Sequence, residues 1–585
     1  MKNAKEEDLL FKKRHSLAHV LLMTIKELYP NALPTIGPVT ETGFYYDIDF
    51  GTDKIGVDEL PAIEEKMRAI LVQNLDFKIE EVTSAQAKEL FKDNKYKVEI
   101  IEGIGSENVP VTLYHTGGIF FDLCEGPHIE NTSVIRPDSF KLTQVAGAYW
   151  RGDEKRGMLT RIYGLAFDTK EELEAYILQQ EEAKKRDHRI LGQQLNLFIF
   201  SPLVGPGLPL WTPRGTILRT EIDTFVQTLR KKYNYGRVTI PHFTKPDLYI
   251  KSQHYEKYGE DLFKVKTRDG HELCIKPMNC PHHAQIYASQ LRSYKELPIR
   301  YSETTMVYRD EQSGELNGLS RVLSITQDDA HVFCRESQLK EEMNNIWGLI
   351  EDFYSTFGFN DLTPRFSRRD DDPKFKGNIE LWEKAEDAIR DLLNERAEGK
   401  WIDGEGEAAF YGPKIDFMAK DALGRSHQVG TIQLDFVQPT NFGLEYVSEE
   451  GKREMPVMIH CAIAGSLERF LSVYIEHTAG NFPLWVSPVQ IAVLPINEKH
   501  HEYANSIVEE LKKIGMRVEF DISKDGLGKK VRYQKEMKTP YWLVIGDKDI
   551  EAGKYTLEGR DMGQIGQLTK MEILDRLQQE IVEKK

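Results

Sequence analysis

Apolar residues recur at helical spacing through HSLAHVLLMTIKELY, from Thr216 to Tyr233 and through HHEYANSIVEELKKIG, so each stretch is predicted to be a helix with one face in a core. Runs rich in β-branched and aromatic residues, GFYYDIDF, VTLYHTGGIFFDL, IRYSETTMVYR and RSHQVGTIQLDFV, read as strands with Gly turns between them. A mixed α+β segment over 1–165 leads into a polar connecting helix, EELEAYILQQEEAKKRDHR, within a linker at 166–195. The Pro- and Gly-punctuated SPLVGPGLPLWTPRG then opens a region, 196–485, whose hairpin signals imply an antiparallel sheet backed by helices. Past Pro488 the strands VQIAVLPI, MRVEFDI and YWLVIGD alternate with helices, the pattern of a small α/β domain over 486–585 with a mixed or parallel sheet. The expected fold class is multidomain α/β and α+β.

Composition narrows the setting. At 585 residues the chain exceeds a single core, and about four domains are expected at roughly 150 residues each. Hydrophobic residues make up 40% and charged residues 29%, which excludes a disordered chain. No apolar run is long enough for a membrane span, and the N-terminus lacks the apolar stretch of a secretory signal, so a cytoplasmic location is expected. The five cysteines show no disulfide-framework spacing, which favours reduced thiols and metal ligation. A net charge of −16 argues against nonspecific coating of nucleic acid. It leaves room for local basic surfaces at Lys184-Lys185-Arg186 with Arg189, at Arg230-Lys231-Lys232, and at Lys529-Lys530 with Arg532; such runs are also the ordinary dress of a solvated helix.

Three distant segments each offer one metal ligand: Cys280 in KPMNCPHH, His331 in QDDAHVFC and His460 in PVMIHCAIAGSLERF. One Cys and two His leave a fourth zinc position open, the arrangement of a working site rather than a structural one. Arg309 in YRDE and Arg469 in GSLERF lie in or near these segments, and guanidinium forks suit phosphate. The combination points to aminoacyl-adenylate chemistry. Between Tyr308 and Cys334, Arg309 and Glu311 share one face of a predicted strand, and Gln327, Asp329 and His331 share one face of another. With Arg321, these are expected to line a cleft.

Near the N-terminus, His15 and His19 in HSLAH lie one helical turn apart, and Cys124 and His128 in DLCEGPH add a second pair. HxxxH with a distant CxxxH marks a hydrolytic or metal site, against the alternative of two chance pairs. Asp122 and Lys141 are candidates to complete its pocket. His254, His271 and the other His are read as structural.

The segments MNCPHH, VYRDEQSGELNGLSRV, QDDAHVFC, FYGPKIDF, QVGTIQLDF and MIHCAIAGSLERF resemble the threonyl-tRNA synthetases, a family of class II aminoacyl-tRNA synthetases. HSLAH, DLCEGPHI and AGAYWRGD resemble the editing domain of that family, and Pro241 in VTIPHF resembles the motif at its dimer interface. The resemblance spans nearly the whole chain. It implies a homodimer that joins L-threonine to tRNA(Thr) through a threonyl-adenylate, using ATP with Mg²⁺, and carries one Zn²⁺ per chain. Arg309, Glu311, Arg321, Gln428 and Arg469 would contact ATP, with Arg309 and Arg469 the catalytic pair. Asp329, Gln327, Tyr411, Lys414 and Gln433 would contact threonine or the adenylate. Glu551 and Arg560 would read the anticodon.

The same resemblance implies two sieves. Valine matches threonine in shape but leaves a metal valence and the Asp329 carboxylate unsatisfied, a mismatch worth roughly 10⁴ or more in discrimination. Serine lacks only a methyl, worth roughly 1 to 3 kcal/mol, so a second site built on His15, His19, Asp122, Cys124, His128 and Lys141 would hydrolyse seryl-tRNA. Whether that second site uses metal is left open by its residue types. The sequence departs from the family pattern in three places: HSLAH begins at His15, with the usual preceding domain expected to be absent; His282 stands where Gly is usual; and Glu558 replaces a basic residue in YTLEGRDMG. A prolyl or seryl enzyme, a silent tRNA-binding paralogue and a free-standing deacylase are the competing readings.

Overall fold

The computed structural model describes residues 8–105, 110–153, 155–375 and 378–585. The chain divides into two compact units, Met1–Glu181 and Glu182–Lys585.

In the first unit, α1 (Leu9–Leu28) starts where the Asp8 carboxylate accepts the N–H groups of Leu10 and Phe11. Its apolar face, including Leu17, Val20, Leu21 and Ile25, is buried against Phe44, Tyr46 and Ile48. Those three come from β2 (Gly43–Asp49), which follows β1 (Leu33–Pro34). Further elements in chain order include α2 (Leu60–Leu71), β3 (Phe77–Val82), α3 (Lys95–Gly105), β4 (Val111–Thr116), β5 (Phe120–Leu123), β6 (Phe140–Tyr149) and β7 (Met158–Ala166). They form one sheet of order β1-β2-β7-β6 and another of order β3-β4-β5. The expected strand VTLYHTGGIFFDL is the β4–β5 hairpin, turned by Gly117 and Gly118 at positive φ.

The polar connecting helix is two helices, α4 (Lys170–Lys185) and α5 (His188–Gln194). The break has a local cause: the Asp187 carboxylate accepts the Arg189 N–H at 2.8 Å and starts a new helix.

The second unit is built on α6 (Pro213–Lys232), β8 (Gly236–Arg237), α7 (Cys280–Ala288), β9 (Ile299–Tyr308), β10 (Ser324–Cys334), α8 (Leu339–Thr356), β11 (Leu362–Arg368), β12 (Ile402–Glu405), β13 (Lys414–Lys420), β14 (Ser426–Asp435), β15 (Val457–Ala462) and α9 (Leu467–Thr478). Eight strands pair in the order β8-β9-β10-β15-β14-β13-β11-β12, antiparallel through the centre and parallel at both edges. Leu218, Ile222 and Val226 of α6, Ile346 and Ile350 of α8, and Leu471 and Tyr474 of α9 bury one continuous core with the sheet. Each fully buried Leu or Ile contributes about 1.5 to 3 kcal/mol, so this slab fixes the opposite face as a rigid platform.

Inside that core Arg230 and Asp328 form an ion pair at 2.7 Å, both 1% exposed. The Asp328 carboxylate also accepts the N–H groups of Ile463 and Ala464, which fixes the chain between β15 and α9. Arg230 is therefore no part of a basic surface. Lys530 is likewise buried, donating to the carbonyls of Pro495 and Asp521.

The C-terminal elements are β16 (Ile491–Pro495), α10 (His501–Lys513), β17 (Val518–Phe520), α11 (Leu527–Glu536), β18 (Tyr541–Ile545), α12 (Asp547–Ala552), β19 (Lys554–Gly559), β20 (Gly563–Thr569) and α13 (Lys570–Val582). Their sheet, β17-β16-β18-β19-β20, is parallel over its first three strands and antiparallel over the rest, so it is mixed.

Candidate functional site

Strand register brings the metal-ligand candidates together. Across the eight-stranded sheet, His331 pairs with His460, His460 with Gln433, and Gln433 with Lys414, so these four side chains form one row on one face. Cys280 enters from the first position of α7. The Cys280 sulfur and one nitrogen from each His lie within 4.8 Å of one another, and all three residues are buried. Neighbours fix which nitrogen each ring offers. His460 Nε2 donates to the Asp435 carboxylate at 2.7 Å, leaving Nδ1 directed at His331 Nε2, 3.0 Å away. His331 Nδ1 faces His283 Nδ1 at 2.8 Å. Carboxylate and imidazole partners of this kind orient metal-bound histidines.

One soft sulfur and two imidazole nitrogens suit Zn²⁺, and the mutual distances suit a single ion. Burial pushes the Cys280 thiol well above its ordinary pKa, so without a cation it stays protonated. Asp329 borders the cluster, its Oδ1 3.8 Å from His331 Nε2, and Asn279 donates to its other oxygen at 3.0 Å. Burial lifts the Asp329 carboxyl to about 6. Tyr411 stacks near His460, ring centroids 5.2 Å apart, and donates to Gln433 Oε1 at 3.2 Å. His254, read from sequence as structural, is buried against the rings of Phe410 and Tyr411 and so forms part of the same wall. His282 is also buried, and neither ring nitrogen has a hydrogen-bond partner among the described residues.

The phosphate-binding candidates lie on a loop and a helix that adjoin the same sheet. β9 ends at Tyr308, so Arg309 and Glu311 stand at the start of the loop to β10 and not on a strand face. The strand reading failed there because the loop runs from 309 to 323. On β10 the alternation of Gln327, Asp329 and His331 holds. Arg321 pairs with Glu311 at 2.7 Å and Glu315 at 2.9 Å. Arg309 is exposed, and so is Arg469 in the first turn of α9, whose N–H donates to the capping Ser466 hydroxyl. Lys414 and Gln428 both bond the fully buried Asp416, which also holds Arg365 and Ser367.

In the first unit, α1 presents His15 and His19, and the segment after β5 presents Cys124 and His128. Cys124 Sγ lies 3.3 Å from His15 Nε2 and 3.3 Å from His128 Nε2, and receives the Gly126 N–H. His15 Nδ1 lies 3.1 Å from the Pro127 carbonyl, and Ser16 Oγ 3.1 Å from His128 Nδ1. Burial pushes the Cys124 thiol up to about 12 and His19 down to about 3, and it lowers His15 and His128 as well. The site at neutral pH therefore holds a thiol and neutral imidazoles, whose free lone pairs can accept a proton from a water. Asp122 is buried under the cluster, paired with Lys97 of α3 at 2.8 Å and bonded by the Tyr46 hydroxyl at 2.6 Å. Lys141 is exposed on β6, and the lysine at Asp122 is Lys97. Sequence reading had no signal for Lys97, because only the docking of α3 brings it there.

In the C-terminal domain Glu551 is exposed on α12. Arg560 donates to the carbonyls of Phe482 and Lys538 and pairs with Asp561. Glu558 accepts from the Trp542 indole at 3.0 Å, which accounts for an acid at that position.

Comparison with known proteins assigns each part. Residues 263–478 match the tRNA synthetase class II core domain (G, H, P, S and T), residues 490–580 an anticodon binding domain, and residues 111–163 the threonyl and alanyl tRNA synthetase second additional domain. The threonine–tRNA ligase of Rubrobacter xylanophilus is 48% identical over 561 residues, covering 95% of this chain and 86% of that protein. That of Synechocystis is 44% identical over 582 residues, covering 98% and 96%. The RNA binding domain of threonyl-tRNA synthetase from Cryptosporidium parvum superposes with a TM-score of 0.64 at 38% identity, covering 67% of this chain and 98% of that one. A Giardia lamblia prolyl-tRNA synthetase, at 17% identity and a TM-score of 0.53 over 70% of this chain and 81% of its own, shares the fold alone. With an editing-type domain, a class II core and relatives of this identity along almost its full length, the chain belongs to the threonine–tRNA ligase family.

Proposed function

We propose that Cys280, His331 and His460 hold one Zn²⁺ per chain at which threonine is selected, and that His15, His19, Cys124 and His128 form the site that clears serine. The chain catalyses ATP- and Mg²⁺-dependent attachment of threonine to tRNA, with editing. The observation that carries the zinc reading is the convergence of one sulfur and two oriented imidazoles within 4.8 Å, with Asp435 behind His460.

Held by Cys280, His331 and His460, Zn²⁺ would supply Lewis acidity toward the amino and hydroxyl groups of the amino acid. Ligation through His331 Nε2 requires its proton on Nδ1, where His283 Nδ1 accepts it. Asp329 is placed to accept the threonine hydroxyl proton, with Asn279 holding its carboxylate still. Tyr411 and Gln433 close the pocket beside His460, and Gln327 lies on the same face of β10. The threonine carboxylate attacks the ATP α-phosphate and pyrophosphate leaves. Arg309 braces the α-phosphate and carboxylate, Arg469 the γ-phosphate, Arg321 the triphosphate and Glu311 the adenine amine. Lys414 and Gln428, locked on Asp416, bound the adenylate side.

In the editing domain, which we place at 1–165 ahead of a 166–195 linker, a neutral imidazole takes a proton from the attacking water. The protonated Cys124 thiol is a positioning group and not a nucleophile. In the anticodon domain, 486–585 after a 196–485 catalytic domain, Glu551 and Arg560 are the base contacts, Arg560 being anchored on the carbonyls of Phe482 and Lys538. The exposure of Pro241 and of Phe243, 51% exposed, supports a homodimer formed through that segment, and the free cysteines support a cytoplasmic setting. No described helix is long and apolar enough to cross a membrane.

The test is amino-acid-dependent ATP–pyrophosphate exchange with threonine, serine and valine. Strong threonine, weak serine and no valine exchange is expected; valine exchange comparable to serine would contradict selection at the cluster.

A further inference from the structure

His188 lies outside every residue set assigned above. It is the first residue of α5 and is 5% exposed. Both ring nitrogens are engaged. Nδ1 donates to the Glu476 carboxylate at 2.6 Å, and the same oxygen accepts the His188 backbone N–H at 3.1 Å. Nε2 accepts the Leu319 backbone N–H at 3.0 Å. Because a peptide N–H can only donate, Nε2 must be the lone-pair nitrogen and the proton must sit on Nδ1. Glu476 enforces that tautomer. It is itself held from its other oxygen by Arg425 at 2.5 Å, which in turn pairs with Asp421.

The two ends of this bridge matter for the reaction. Leu319 lies in the tight return of the 309–323 loop, where Asn317 and Arg321 exchange backbone hydrogen bonds at 3.1 and 3.2 Å. Arg321 is thus two residues from the N–H that His188 holds. Gly318 precedes it at φ +50°, and a Cβ there would fall 2.3 Å from His188 Nε2, so the close approach requires glycine. Glu476 lies on α9, seven residues and about two turns beyond Arg469. One imidazole therefore joins the loop that carries Arg309 and Arg321 to the helix that carries Arg469. The neighbouring Asp187 does not make this a cation site, since its carboxylate is taken by Arg189 and both His188 nitrogens are occupied.

We propose that His188 is a positioning residue for ATP: by accepting the Leu319 N–H while anchored on Glu476, it sets the 309–323 loop against α9 so that the loop and helix arginines meet one triphosphate. This rests on the proposed roles of Arg321 and Arg469.

Substitution separates positioning from mere packing. Gln places an acceptor oxygen at the reach of Nε2, whereas Asn reaches only the Nδ1 position and keeps the Glu476 bond alone. In pyrophosphate exchange on the full-length enzyme, His188→Asn is expected to raise the KM for ATP about tenfold, the worth of about one buried hydrogen bond, with the KM for threonine unchanged. His188→Gln is expected to restore the ATP KM to within about threefold of the parent. Gly318→Ala, whose Cβ would force the 309–323 loop and the His188 ring apart, should reproduce the Asn effect. Equal ATP KM values for the Asn and Gln variants, or a normal ATP KM for Gly318→Ala, would overturn the proposal. Arg321→Ala is measured alongside: an unchanged ATP KM there refutes the role of Arg321, whereas a raised one with normal His188 variants refutes only the bridge.

Discussion

The protein carries two Cys/His clusters of nearly the same composition, and their surroundings set them apart. Around Cys280, His331 and His460, carboxylates stand close: Asp435 on His460 and Asp329 beside His331. Around Cys124, the imidazoles meet a carbonyl, a hydroxyl and the thiol, and the nearby carboxylate of Asp122 is neutralised by Lys97. Negative charge behind an imidazole raises its basicity toward a cation, which supports the proposal that the first cluster holds a metal. The second holds neutral groups in a largely buried pocket, which supports the proposal that it moves a proton. Ligand types alone do not separate a metal site from a hydrolytic one; the proposed division rests on the partners behind them.

The largest effect that would break this contrast is at the ligands. Cys280→Ser is expected to remove bound zinc and threonine activation together, while seryl-tRNA hydrolysis persists; metal analysis and exchange assays on one preparation decide it. Next, His15→Ala is expected to leave threonine charging intact and slow seryl-tRNA hydrolysis about 10²- to 10⁴-fold, read in a deacylation assay. Unchanged hydrolysis would remove His15 from the site. Smaller again, Asp435→Asn is expected to weaken zinc binding about 10- to 100-fold, measured by competition with a chelator. The smallest effect is in pH. An ordinary imidazole loses about twentyfold of its neutral form between pH 7 and pH 5, but His19 is held down to about 3 and His15 is lowered too, so deacylation should fall far less over that range. The sign for stability is the reverse of a gain: the unfolded chain takes up protons first, so the folded domain loses stability as pH falls from about 6.5 toward 3.

Much of this was legible in the sequence because the chemistry sits on local patterns. HxxxH on a helix puts His15 and His19 on one face, and strand alternation puts Gln327, Asp329 and His331 on another. The helix–strand order of the C-terminal domain likewise follows from its apolar spacing. What could not be read depends on tertiary docking. Lys97 reaches Asp122 only because α3 packs there, and Lys141, closer in sequence, points to solvent. Arg230 and Lys530 lie within runs of charge yet are buried, since each finds an acceptor from a distant segment. His283 and Asp435 lie within the motifs MNCPHH and QVGTIQLDF, but their orienting role appears only once the strands are in register.

The most direct test of the contrast is zinc content, by elemental analysis, of the parent protein beside Cys280→Ser and Cys124→Ser. One zinc per chain in the parent and in Cys124→Ser, with none in Cys280→Ser, is the expected result. Two zinc ions in the parent, or loss of zinc from Cys124→Ser, would show that the N-terminal cluster is also a metal site and would contradict the division between them.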